Sequence, residues 1–200
     1  MTFTPTKYTL LCCKTGHRFE DTGWSLADPQ CNCASLVRAE YEKKQYNPRT
    51  ELDGFYRFAD WLPIRRTLEG SCAPVTYKSE KLAAELGLDN LYITLSGYYP
   101  KIGARMETGS FKETEAYSVC GRLPKDNDKV LVVASAGNTA RVFAKVCPDN
   151  NIPLLLSIPK DIINALWFKK PLNDCVKIIG SPEGSDYFDA IALSDIACKS

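Results

Sequence analysis

From Lys129 onward the chain alternates short apolar runs with single helical stretches, and this alternation restricts the fold more than any other feature. Val130–Ala134 is a continuous apolar run, Ser135–Asn138 a turn, and Thr139–Cys147 has helical spacing with Pro148 as its stop. Ile152–Ile158 is a second run of strand length. Pro159 then precedes Lys160–Lys169, in which Ile162, Ile163, Leu166 and Trp167 share a helical face. Cys175–Ile179 is a third strand, and Asp186–Cys198 a third amphipathic helix. A strand apolar on both faces must be covered above and below, so the pattern predicts an α/β fold: an open, mostly parallel sheet with helices on both faces. Such a sheet seldom ends on an unused crossover, and Ser200 follows a helix directly. We therefore expect an incomplete, N-terminal part of a larger unit.

The first half is less regular. Glu80–Leu86 reads as a short helix closed by Gly87, and Leu91–Leu95 as a strand. Residues 96–111 form a Gly-containing polar stretch too long for an idle connection, and long ordered loops tend to carry function. A helix from Lys112 to Leu123 follows, with Ser110 as its N-cap and Glu113 and Glu115 in the first turn, where the helix dipole favours carboxylates. We place an N-terminal arm at 1–55 and a catalytic unit at 56–200, with a small domain at about 90–200.

Lys and Arg total 25 against 24 Asp and Glu, a net charge of +1, which lacks the basic footprint of a dedicated nucleic-acid binder. No run approaches the roughly 20 apolar residues of a membrane span, and Met1–Thr9 has no export pattern. A cytoplasmic protein without nucleic-acid or membrane partners is expected. The nine cysteines are then expected to be reduced, with most of Cys72, Cys120, Cys147, Cys175 and Cys198 serving as small core residues. Cys12, Cys13, His17, Cys31 and Cys33 look like a degenerate zinc-ribbon arm. Their pairs are adjacent or one residue apart, outside the usual metal-ligand spacing, so no metal is assigned.

Two loops could carry chemistry. Thr108-Gly109-Ser110-Phe111-Lys112 delivers an amine to a helix start, where the dipole favours the neutral, nucleophilic form; the plain alternative is a solvated lysine. Ser135-Ala136-Gly137-Asn138-Thr139 lies where a strand ends and a helix begins, a place suited to an anion; the plain alternative is an ordinary turn and cap. Neither a G-x-x-x-x-G-K-[ST] nor a G-x-G-x-x-G motif occurs.

Taken together, GSFK at 109–112 and SAGNTA at 135–140 resemble the threonine synthase group of the fold-type II pyridoxal-phosphate enzymes, the tryptophan synthase β-like fold. Asp60-Trp61-Leu62-Pro63, TLEGSCAPV at 67–75 and EKLAAELGLDNLYI at 80–93 are collinear with that group, so the resemblance runs from about residue 8 to about 198. Threonine synthases usually have Asn-Pro-Thr before GSFK and Asp-Arg after it. Here Met106-Glu107-Thr108 and Glu113-Thr114 stand in those places, and the loop from Ser96 to Glu107 looks expanded. With the divergent cysteine arm, these departures resemble the cysteate synthase subgroup, which methanogenic archaea use on a route to coenzyme M.

The resemblance implies a β-replacement on pyridoxal 5′-phosphate: sulfite displaces the phosphate of L-phosphoserine to give L-cysteate. It implies that Lys112 binds the cofactor covalently and removes the substrate's α-proton. Asn138 would hydrogen-bond the cofactor's 3′ oxygen, and Ser135, Gly137 and Thr139 would hold the substrate carboxylate. Lys101 or Arg105 would steer the anions. The group's phosphate cradle and its partner for the pyridine nitrogen are expected beyond residue 200, so the 200 residues by themselves should bind the cofactor poorly, and the full-length protein should be a homo-oligomer. Alternatives are a threonine synthase or another pyridoxal-phosphate β/γ-replacement enzyme, and a non-catalytic regulatory or metal-binding module on the same sheet.

Overall fold

A computed structural model describes residues 3–32, 34–126 and 128–199. The chain forms two compact units, one from Met1–Ser71 with Tyr117–Asp128, the other from Cys72–Ala116 with Lys129–Ser200. One segment returns to the first unit after the chain has begun the second.

In the first unit, β1 (Tyr8–Cys12) is the centre of a three-stranded antiparallel sheet flanked by β2 (Arg18–Phe19) and β3 (Val37–Tyr41). Leu10 lies opposite Phe19 on one side and Ala39 on the other, and Leu10, Leu11 and Cys12 are buried. A 3-10 helix at Gly54–Trp61 buries Tyr56, Ala59 and Asp60. The buried Asp60 carboxylate is satisfied by the Thr6 hydroxyl at 2.7 Å and the Lys43 ammonium at 2.6 Å. At Gly121 two backbones approach closely: a Cβ there would lie 3.0 Å from the Arg66 carbonyl oxygen, and both Arg65 and Arg66 donate their N–H groups to the Gly121 carbonyl.

The cysteine arm differs from expectation in one respect. Cys31 is disulfide-bonded rather than reduced. Cys33 lies outside the described residues. Cys12 is buried with its sulfur 3.1 Å from the Ser35 hydroxyl, and His17 Nδ1 lies 2.8 Å from Asp28. Among the described residues no group of three His, Cys, Asp or Glu side chains could hold a metal ion. Of the five expected core thiols, Cys72, Cys120 and Cys147 are buried, Cys175 is half-buried and Cys198 exposed.

The second unit begins with β4 (Val75–Lys78), helix α1 (Glu80–Leu86) and β5 (Tyr92–Leu95), the two strands pairing antiparallel. Gly87 ends α1 in the left-handed region at φ 67°, the conformation that glycine adopts without a Cβ clash. The stretch read as an expanded loop is partly ordered: β6 (Tyr98–Tyr99) pairs with β7 (Ala104–Arg105) around a turn completed by Gly103 at φ 83°. Helix α2 (Lys112–Arg122) starts where expected.

The parallel sheet is confined to three strands in the order β10-β9-β8, where β8 is Leu131–Ala134, β9 Leu154–Pro159 and β10 Val176–Ser181. Thus the fold is α/β, but with separate antiparallel ladders beside a small parallel core. Central β9 is almost wholly buried, with Leu154 opposite both Leu131 and Val176. Helix α3 (Asn138–Asp149) follows β8 and carries Pro148 within its last turn, so that proline did not stop it. A proline so near the C-terminus forfeits only one hydrogen bond. Helix α4 (Lys160–Ile163) has four residues, far short of the expected Lys160–Lys169. Helix α5 (Tyr187–Lys199) packs on the sheet, the buried Ser157 hydroxyl of β9 donating to the Ala190 carbonyl at 2.7 Å. It is less amphipathic than expected: Ala190 is its buried residue, and Phe188, Ile191 and Ile196 are exposed. No helix among the described residues is long and apolar enough to cross a membrane.

Candidate active site

Two loops of the second unit carry the expected site residues, and a residue absent from the sequence reading joins them. Arg141, in the first turns of α3, donates from Nη2 to the Thr108 carbonyl at 2.6 Å and from Nη1 to the Asn138 side-chain oxygen at 2.9 Å. Its Nε donates to the Trp167 carbonyl at 3.2 Å, and its guanidinium carbon stands 3.5 Å from the centre of the Trp167 ring. One planar cation therefore pins the turn before Lys112, the first residue of α3, and the segment after α4. Burial pushes its pKa downward, opposed by the charge of Glu113, but a guanidinium remains protonated. Arg141 stands three residues after Asn138, on the same helical face, which is the sequence signal that could have found it. The recruitment of Trp167 also explains why the expected longer α4 does not form.

The Lys112 loop is held from inside by Glu113, whose side chain is fully buried. Its carboxylate accepts the Thr108 N–H at 2.6 Å and the Cys72 thiol at 3.1 Å, with Lys145 Nζ at 3.9 Å. Burial, then the charge and hydrogen bond of Glu113, push the Cys72 thiol up to about 12. The Ser110 hydroxyl accepts the Lys112 N–H at 3.2 Å, so it caps α2 as expected. Lys112 itself is about a third exposed, 37%, and its ammonium pairs with Glu115 at 2.7 Å.

At the other loop the buried Ser135 hydroxyl accepts the N–H groups of Gly137 at 3.1 Å and Ala140 at 3.0 Å. Ser135 thus acts as the cap of α3. The N–H groups of Asn138 and Thr139, at the first two helical positions, have no acceptor within the helix by position and are the ones available to an anion. Gly137 precedes them in extended backbone, with φ 179°. Because Arg141 occupies the oxygen of the exposed Asn138 amide, the NH2 edge of that amide is left to face a ligand. Lys101 and Arg105 are exposed on the β6–β7 hairpin.

Comparison with known proteins follows the same lines. The chain is 43% identical over 191 residues to a cysteate synthase of Methanocella paludicola, covering 94% of this chain and 43% of that protein. It is 40% identical to one of Methanocorpusculum labreanum over 192 residues, covering 96% of this chain and 46% of the relative. In sequence, this chain is a relative of the cysteate synthases. The cysteate synthase of Methanosarcina acetivorans extends the pattern, 39% identical over 193 residues. The chain spans a little under half the length of these relatives, 43% to 46%. No family model and no solved structure matches it.

Proposed function

We propose that this chain contributes to a cytoplasmic, pyridoxal-phosphate-dependent β-replacement enzyme that converts L-phosphoserine and sulfite into L-cysteate and phosphate, on a route to coenzyme M. Similarity of about 40% to cysteate synthases across 94% to 96% of the chain carries this reading. The geometry supports it, because Arg141 ties the two loops that the proposed chemistry needs into one site.

The residues present fit the cofactor. Lys112 offers a primary amine at a helix start, and Asn138 presents an amide donor edge fixed by Arg141. When bound, the cofactor would act as the electron sink for the charge left at the substrate's α-carbon. Lys112 would hold it and carry the α-proton, which requires its amine to leave Glu115. The Asn138 and Thr139 N–H groups would orient the substrate carboxylate, with Gly137 leaving room for its approach and Ser135 fixing the turn beneath. Across the reaction the β-carbon–oxygen bond breaks, phosphate departs with the electron pair, and sulfite sulfur supplies the pair for the new carbon–sulfur bond. A homo-oligomer completes the proposal.

Phosphate release from L-phosphoserine should require both sulfite and pyridoxal phosphate, and Lys112→Ala should abolish it. Borohydride reduction in the presence of pyridoxal phosphate should place a stable mass tag on the Lys112 peptide. Threonine formed from phosphohomoserine, or a tag on another lysine, would overturn the proposal.

A further inference from the structure

Behind the Lys112 turn, the second unit holds a cleft of about 250 Å³ that none of the roles above uses. That volume is below the range of about 300–1,000 Å³ typical of drug-sized ligands and suits a small one. Four cations line it, Arg141, Lys145, Lys169 and Lys170, against two carboxylates, Glu107 and Asp149. Arg141 spends its donors on protein oxygens, Lys169 pairs with Glu107 at 2.6 Å, and Lys145 lies 3.9 Å from the buried Glu113 carboxylate, which leaves four cations against three carboxylates. The lysines nevertheless act together: the Lys169 hydrogen bond, then the charges of Lys169, Lys145 and Lys170, hold the Glu107 carboxyl below its usual range despite partial burial.

A second observation comes from Thr108, which also lines the cleft. It is 8% exposed, and its hydroxyl is buried without a hydrogen-bond partner. A buried hydroxyl left unsatisfied is costly, and such orphans mark places where a ligand completes the hydrogen bonding. Excess cationic charge beside an orphan hydroxyl is the donor set of an oxyanion site. Trp167 and Phe168 supply the cleft's apolar wall.

We propose that this cleft binds a small oxyanion of the sulfite or phosphate class, with Lys145, Lys169, Lys170 and the Thr108 hydroxyl as its donors. It shares Thr108 and Arg141 with the Lys112 loop but not the α3 N-terminus. The site requires no cofactor, so it stands or falls separately from the β-replacement reading.

Trp167 lies in the cleft wall and reports on it. Titration of the full chain with sodium phosphate and, separately, sodium sulfite, against chloride at equal ionic strength, should give a saturable change in tryptophan emission. Trp167→Phe should remove that signal while calorimetric binding persists. The lysines at 169 and 170 are exposed, so Lys169→Gln/Lys170→Gln should fold normally by circular dichroism and weaken binding about tenfold. Glu107→Gln removes a competing carboxylate and should tighten binding about threefold. The anion that binds more tightly identifies which of the two sources the site serves. A response equal to that of chloride, or affinity unchanged in the double lysine variant, would overturn the proposal.

Discussion

Glu113 is the residue whose chemistry reaches furthest beyond its own position. A fully buried carboxylate survives only with partners, and here the partners are a backbone N–H at Thr108 and the Cys72 thiol. Removing the carboxylate strands both donors in the interior. Glu113→Ala should therefore cost about 2–3 kcal/mol in chemical denaturation, whereas Glu113→Gln, which keeps an acceptor for Thr108, should cost less than half of that. A loss below about 0.5 kcal/mol for the alanine variant would mean that the carboxylate does not hold the turn. Cys72 offers an independent check. With its thiol pushed up to about 12 by burial and Glu113, roughly one molecule in three thousand carries the thiolate at pH 8.5. Under those conditions iodoacetamide should label the exposed Cys13 and Cys198 and leave Cys72 unmodified until the protein is denatured.

Among the elements, α2 and α3 were legible from local signals: Ser110 caps one, and the SAGNTA turn followed by helical spacing opens the other. The parallel core was legible for the same reason, its strands being apolar on both sides. The short α4 was not. Its apolar periodicity was real, but Trp167 finds a better partner in the Arg141 guanidinium than on its own helix, a tertiary contact that no local pattern encodes. Likewise the two candidate loops could be read one by one, while the cation joining them was missed: its spacing from Asn138 places it on the right face, but arginine at a helix surface usually signals solvent. Arg141→Met should release the turn before Lys112. Hydrogen exchange in peptides spanning 104–112 and 134–141 should rise about tenfold, corresponding to about 1.4 kcal/mol of local opening. Arg141→Lys should behave like the methionine variant, since a single ammonium cannot serve three carbonyl-type acceptors in one plane. Full protection in the lysine variant would show that charge alone suffices.

At the scale of the whole molecule, the first unit is built from two stretches of chain separated by the start of the second, and a discontinuous unit needs something to close it. Asp21 and Arg122, 101 residues apart, provide a bidentate pair within that unit, at 2.6 and 2.7 Å. The Tyr8 hydroxyl donates to the same carboxylate at 2.6 Å and the Gly23 N–H at 2.8 Å. Burial by itself would raise the Asp21 pKa, but the hydrogen bonds from Arg122, Tyr8 and Gly23 outweigh it and hold the carboxyl at about 2. The sign follows from proton linkage. A carboxyl lowered on folding binds fewer protons in the native state than in the unfolded chain, so its contribution is complete above the unfolded pKa, about 4, and is lost as the pH falls through 2. Discounted for solvent screening, that contribution is about 1–2 kcal/mol. Urea denaturation between pH 5 and pH 2 should therefore show the native protein losing stability, with exchange protection falling first in β1 and in the Tyr117–Arg122 end of α2. Asp21→Asn should be weaker at pH 7, because it leaves Arg122 without its counter-charge, and should show a flatter decline across the same window. Parallel pH profiles for the two proteins would place the acid-sensitive closure at some other carboxylate.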